Sequence, residues 1–257
     1  MTLNNPDVRQ DLLRERLACG ESLAVTDLCA EFGVSADTVR RDLIALEGLG
    51  AARRVRGGAV PLTKPVAALR ERKDTQAPPS RGLLQQAGQA LEGATTLLLD
   101  GGLTVLALAR ELMATPDLLV VTPSPWVGTA TCERGIETVL LGGRVSERGG
   151  IAVGAEVERA LSGLAADVAV LGACGLDAGF GLSSDDLQEN AVSRRMALAA
   201  GRVLVLTSAD KLGRRARHRT LAPEEIDMIV TDTVPQGSEA SDEIRAFRAA
   251  GVEVRCG

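Results

Sequence analysis

Residues 25–46, VTDLCAEFGVSADTVRRDLIAL, decide the first part of the fold. Val25, Leu28, Cys29 and Phe32 fall at i, i+3, i+4 and i+7, one apolar face of a helix about two turns long. Gly33 suits the left-handed end of that helix. Ser35 is a capping residue for a second helix whose apolar face is Val39, Leu43 and Leu46. Val34 and Val39 stand at the two ends of a hydrophobic staple around that cap. Helix, glycine turn and capped helix make a helix-turn-helix. With Val39, Leu43 and Leu46 inward, a rotation of about 100° per residue points Asp37, Thr38 and Arg41 outward and leaves Arg40 on the flank. Arginine can fork onto guanine or clamp a phosphate, threonine can meet a phosphate or a thymine methyl, and Asp37 can accept from cytosine or simply favour the helix start. Periodicity alone fits a solvated helix face as well as a DNA-reading one.

Working outward, Leu12, Leu13 and Leu17 sit at helical spacing upstream. Downstream, GLGAARRVRGGAVP (48–61) brackets Arg53, Arg54 and Arg56 with glycines, as a small β-hairpin or wing would. Residues 61–80 carry Pro61, Pro65, Pro78 and Pro79 among charges and read as a linker with one helical piece. From residue 81 short apolar runs suited to buried strands (TTLLLDGG, LLVVTPS, ETVLLGG, ADVAVLGACG, RVLVLTS, DMIVTD, VEVRC) alternate with helical segments such as LTVLALARELMA. That alternation predicts an α/β domain with a mostly parallel sheet covered by helices. The expected organisation is a DNA-binding head over 1–60, a linker over 61–80 and an α/β domain over 81–257.

Composition narrows the partners. Of 257 residues, 45% are hydrophobic and 25% charged, as in ordinary globular chains, and no apolar run approaches a membrane span. The N-terminus lacks a signal-peptide core, so a cytoplasmic protein without membrane partners is expected. A net charge of −5 argues against indiscriminate coating of nucleic acid but leaves room for a local basic patch. Aromatics are 2% with no tyrosine, which disfavours single strands stacked on an aromatic platform. The five cysteines are scattered without a CxxC pair, so no metal site or cofactor is expected. Cys174 reads as inert and His218, in GRRARHRT, as part of a solvated basic loop.

In parallel sheets, ligands bind beyond the carboxyl ends of strands. Those ends carry DGGLT, with Asp100, Gly102 and Thr104; LLGGR, with Gly142 and Gly143; LGACGLDAGFGLSS, with Gly175 and Asp177; and LTSADKLGRR, with Lys211. Asp100, Asp177 and Lys211 are expected to converge with glycine loops on one rim. There, carboxylates would accept from hydroxyls while lysine and loop amides held a phosphate. Glycines at such places also serve tight strand-to-helix turns, so DGGLT alone decides little.

The ordered pattern over residues 23–60, FGVSxxTVRRDL followed by LExLG and RVRGGA, closely resembles the winged helix-turn-helix of DeoR-type transcriptional regulators. The resemblance implies that Ser35, Thr38, Arg40 and Arg41 belong to the recognition helix, with Arg54 and Arg56 flanking it from the wing. Ala24 departs from the capping serine or threonine common there, at a cost of about 1 kcal/mol to its helix. Residues 81–234 resemble the DeoR-type sensor domain, which is related to phosphosugar isomerases, through Asp100, Gly102, Thr104, VVT at 120–122, LLGGR, GLDAGFGLS, Lys211 and Gly213. Departures from that pattern are Leu103 for threonine, Pro123 for asparagine, Ser193 for lysine and Ser208 for aspartate.

The resemblance implies a regulator, expected to repress carbohydrate-metabolism genes as a homodimer or homotetramer on double-stranded operator DNA. A sugar phosphate, sugar or polyol would be its effector, and no residue would be catalytic. The departures point toward a different effector from the usual one. Two rivals remain open at this stage: an isomerase-like enzyme using Asp100, Asp177 or Lys211, and a constitutive DNA-binding protein with a vestigial sensor.

Overall fold

The computed structural model describes residues 6–18, 22–48, 52–61 and 69–257. Cys19 to Glu21 of the ACGES break, Leu49 to Ala51 before the wing, and linker positions 62–68 with Pro65 lie outside the described residues. The chain divides after Pro65 into two compact units.

The first unit runs α1 (Pro6–Ala18), β1 (Leu23–Ala24), α2 (Val25–Phe32), α3 (Ala36–Gly48), β2 (Ala52–Val55) and β3 (Gly58–Pro61). Its antiparallel sheet has the order β1-β3-β2. Leu13, Leu17, Leu28, Phe32, Val39, Leu43 and Leu46 form one core with Leu23 and Ala59 of the sheet. Gly33 closes α2 at φ 65°, its N–H donating to the Cys29 carbonyl at 3.0 Å. Ala24 caps α2 without any side-chain bond, as its chemistry dictates. At Gly58 an added Cβ would lie 1.9 Å from the Leu23 carbonyl oxygen, so only glycine lets β1 reach the wing hairpin. This is a winged helix-turn-helix.

The second unit begins with α4 (Leu69–Thr75), α5 (Arg81–Ala90), β4 (Thr96–Leu99), α6 (Leu103–Glu111), β5 (Leu119–Thr122), α7 (Pro125–Glu133) and β6 (Glu137–Leu140). It continues with β7 (Arg144–Val145), β8 (Ala152–Val153), α8 (Ala155–Ser162), β9 (Ala166–Gly172), β10 (Gly175–Asp177) and β11 (Gly181–Ser184). It ends with α9 (Leu187–Leu198), β12 (Ala200–Leu206), β13 (His218–Leu221), β14 (Met228–Thr231), α10 (Glu239–Ala249) and β15 (Glu253–Cys256). A seven-stranded sheet of order β15-β14-β12-β9-β4-β5-β6 is parallel throughout.

Both faces of the sheet are covered. Leu97, Leu99, Val168, Val170, Leu204 and Leu206 share one core with α5, α6 and α7. Leu98, Ala169, Leu171, Val203 and Val205 share the other with α8, α9 and α10. This two-sided burial is why the strands read as continuous apolar runs rather than alternating ones. GLDAGFGLSS, read as a strand-end loop, instead pairs as β10 and β11, and β13 joins them in an antiparallel side sheet. His218, read as loop, is the first residue of β13 and half-buried.

The chain leaves β4 toward β5 and β6, then returns to β4's other side with β9 before continuing to β12, β14 and β15. The crevice beyond β4 and β9 is therefore the sheet's topological switch point.

Candidate nucleic-acid interface and ligand groove

On α3, the Ser35 hydroxyl oxygen accepts from the Thr38 N–H at 3.2 Å and lies 2.9 Å from the Thr38 hydroxyl. The cap thus fixes the Thr38 side chain as well as the helix start. Arg40 donates to Asp37 at 2.9 Å on the exposed surface. Arg41 is exposed and makes no ion pair or hydrogen bond to another described residue. From the wing, the Arg54 N–H donates to Glu47 Oε1 at 3.0 Å, and its guanidinium lies 3.9 Å from the same carboxylate. Arg56 stands exposed at the hairpin turn beside Gly57. Arg40 and Arg54 line one small concavity with Val55, Gly57 and Gly58, so helix and wing present their cations side by side.

One member of the VRRDL run had no role in the sequence reading. Asp42 is buried and accepts from Arg9 of α1 at 2.5 and 3.2 Å and from the Gln10 amide at 3.1 Å. Its signal was present, since Asp42 lies three residues after Val39 and four before Leu46, on the inward face. Its partner, 33 residues upstream, was not readable from spacing. The pair clamps α1 to the recognition helix.

In the second unit a groove of about 830 Å³ opens at the switch point. Leu103, Thr104, Ala107 and Arg110 of α6 form one wall, and Ser208, Asp210, Lys211 and Asp232 another. Residues Thr75 to Pro79 line its remaining side. A small recess continues inward between Gly101, Gly102, Gly172 and Ala173, with Arg72, Gln76, Thr104, Ser208 and Lys211 also on its walls. Gly102, at φ 91°, caps α6 without a side chain. The N–H groups of the first turn have no intrahelical acceptor, and the helix dipole favours an anion there.

Asp100 lies directly behind this loop. Gly101 N–H donates to its Oδ1 at 2.8 Å and Ser193 Oγ to its Oδ2 at 3.2 Å. Burial pushes the carboxyl up to about 6, with Glu189 nearby adding to the rise and the Gly101 and Ser193 hydrogen bonds opposing it. Ser193 stands where the resemblance places a lysine, so the carboxylate faces a hydroxyl in place of a cation. Lys211 Nζ lies 2.9 Å from Asp210, which also accepts from Ser208 Oγ at 2.5 Å. Burial raises the Asp210 carboxyl, but the bonds from Ser208 and Lys211 outweigh it and hold the group below its usual range. Asp210 therefore supplies a carboxylate to the groove where Ser208 does not.

The remaining residues singled out in the sequence lie elsewhere. Asp177 is buried at the end of β10, paired with Arg215 at 2.8 Å and accepting from Gly179 N–H at 2.9 Å. It does not line the groove or its recess, and so does not converge with Asp100 and Lys211. Gly175 admits the 214–216 backbone, since a Cβ there would sit 2.6 Å from the Arg214 oxygen. Gly142 and Gly143 lie exposed between β6 and β7, outside the groove lining. Burial pushes the Cys174 thiol up, away from a reactive thiolate. Arg72, Gln76 and Arg110 line the groove or its recess without having been singled out, because linker and helix positions gave no strand-end signal, whereas Asp210 and Asp232 sit at the strand ends LTSADKLGRR and DMIVTD and were passed over.

Residues 9–64 match the family profile described as a DeoR-like helix-turn-helix domain, and residues 83–233 the DeoR C-terminal sensor domain. A putative aga operon transcriptional repressor of Escherichia coli is 30% identical over 96% of this chain and 92% of its own. The HTH-type transcriptional regulator GlpR of Haloferax volcanii is 29% identical over 97% of each chain. The HTH-type transcriptional repressor GlcR of Bacillus subtilis is 30% identical over 83% of each.

Proposed function

The chain belongs to the DeoR family of transcriptional regulators, and on that premise we propose that it is a cytoplasmic repressor of carbohydrate-metabolism genes. It binds double-stranded operator DNA as a homodimer or homotetramer, through α3 and the wing. A sugar phosphate or related metabolite in the switch-point groove changes its affinity for the operator. The observation that carries the DNA half is Arg41, exposed and without a partner among the described residues, on a helix that Ser35 caps and that the Arg9–Asp42 pair locks in place. Thr38, Arg40, Arg54 and Arg56 extend the same polar surface toward phosphates on either side.

The effector half is supported by the groove's chemistry. The α6 amides, Thr104 and Lys211 suit a phosphate, and Ser208, Asp210 and Asp232 suit hydroxyls. A non-enzymatic reading is favoured because Asp177 is engaged by Arg215 and Asp100 is buried behind Gly101, which withdraws two of the three residues an isomerase-like reading would use.

Selection of bound duplexes from a random library tests the DNA half. A consensus of repeated half-sites is expected, and retention of the library without enrichment would refute it. Thermal shift with a panel of sugar phosphates tests the effector half, since a ligand that binds the folded state raises Tm.

A further inference from the structure

Segment 69–79 belongs to the second unit by its contacts. Leu69 is 2% exposed and its N–H donates to the Glu147 carbonyl at 2.9 Å. At Gly150 a Cβ would come within 2.4 Å of Leu69 Cδ2, so this glycine makes room for the docked helix. Ser80, just beyond, caps α5 and donates to the Gly257 carbonyl at 3.1 Å. Between these two anchors, Thr75 to Pro79 line the outer groove, and Arg72 and Gln76 reach the inner recess.

Arg72 occupies a particular position among them. Its Nη2 donates to the Arg148 carbonyl at 2.8 Å. Burial lowers its proton affinity, while the nearby Glu189 carboxylate opposes that loss. Glu189 is itself buried and accepts from Ser146 Oγ and, at 2.7 Å, from Gly149 N–H. The guanidinium is therefore a half-buried cation on the wall of the recess, facing Gly102 and Thr104, and held by a backbone carbonyl and the field of an acid.

We propose that Arg72 is an anion-binding residue of the groove, and that an anionic ligand draws it away from the Arg148 carbonyl and Glu189 and thereby shifts α4. A guanidinium with five donors can fork onto a phosphate more favourably than onto one carbonyl oxygen. A phosphate beside the α6 amides lies within the recess that Arg72 already lines. Because residues 62–68 join α4 directly to the first unit, movement of α4 is the shortest covalent route from ligand to DNA-binding head. This inference rests on the proposed effector reading and adds to it the residue that senses the ligand's charge and the element that reports it.

The test uses the full-length protein and two readouts, calorimetric affinity for inorganic phosphate and for glucose 6-phosphate, ribose 5-phosphate and glycerol 3-phosphate, and the effect of each on operator affinity. Arg72→Gln is expected to weaken the bound phosphate compounds roughly 10- to 100-fold, the loss of a charge-assisted hydrogen bond. Glu189→Gln, which removes the competing charge and keeps an acceptor for Gly149, is expected to tighten the same ligands several-fold. That gain is one a merely structural role for Arg72 does not predict. Arg72→Lys, which keeps charge and stem, serves if the glutamine variant fails to fold, and is expected to bind ligand but report it weakly to the operator. Ligand binding and operator response unchanged in the Arg72 variants would overturn the inference while leaving the effector reading intact. Failure of the wild-type protein to bind any of the four probes would overturn both.

Discussion

Replacing Arg9 with methionine would leave the Asp42 carboxylate inside the first unit with, among the described residues, only the Gln10 amide at 3.1 Å. Both side chains of the pair are at least 96% buried, by side-chain exposures of 3% and 4%. Breaking a pair this deep costs about 3–5 kcal/mol, because the surviving charge has lost water as well as its partner. A unit of this size holds a total of about 3–10 kcal/mol, so the change consumes much or all of its stability. For a domain of this length each kcal/mol moves the midpoint by roughly 4–8 °C, so a fall of more than about 10 °C is expected. Differential scanning calorimetry of the whole chain resolves it, with the second unit's transition as internal control. Arg9→Met with Asp42→Leu, which removes both charges, is expected to recover most of the loss. A single-variant loss under about 1 kcal/mol, or a double variant no more stable than the single, would refute the clamp.

Three further outcomes follow from the same geometry. Arg41→Ala should weaken operator binding by about 1–3 kcal/mol and relax discrimination at one base position if it forks onto guanine. Equal weakening on all duplexes in an anisotropy titration would make it a phosphate clamp instead. Burial pushes the folded Asp100 carboxyl up to about 6, whereas an unfolded aspartate titrates at about 3.9, so the native state holds the extra proton between these values. Stability of the second unit should therefore fall as pH rises across that window and level off above it, by about 3 kcal/mol in total. Asp100→Asn should abolish that slope in Tm measured against pH. At Gly101 a Cβ would lie 2.3 Å from Ile151 Cγ2 and 2.6 Å from the Gly149 oxygen. Gly101→Ala should thus cost the second unit about 1–3 kcal/mol by urea denaturation, while Gly88→Ala, with open space around it, should cost nothing.

What was legible in the sequence was local or periodic. Gly33, Ser35 and the Val39–Leu43–Leu46 stripe specify a turn, a cap and a face within a few residues of one another. The strands were legible because two-sided burial leaves them uniformly apolar. What was not legible depends on pairings made only in three dimensions. Asp177 looked like a strand-end carboxylate for the rim, and it does end β10, but Arg215, 38 positions later by residue number, engages it there. Asp42 was given no role, because its partner Arg9 lies 33 residues upstream. The proline-rich segment read as linker, yet Leu69 and Arg72 tie its helical piece to the second unit, where it roofs the groove. Ser193 and Ser208 were visible as departures, but their effect was not. One leaves Asp100 facing a hydroxyl, and the other is offset by Asp210 two residues on.

The most direct test of a metabolite-responsive DNA-binding regulator is an operator anisotropy titration of the wild-type protein, repeated with each sugar phosphate at saturation. A change in operator Kd of roughly 5- to 150-fold for at least one compound is the predicted result, the span of ordinary coupling energies. A Kd that stays the same with a ligand demonstrably bound would contradict it.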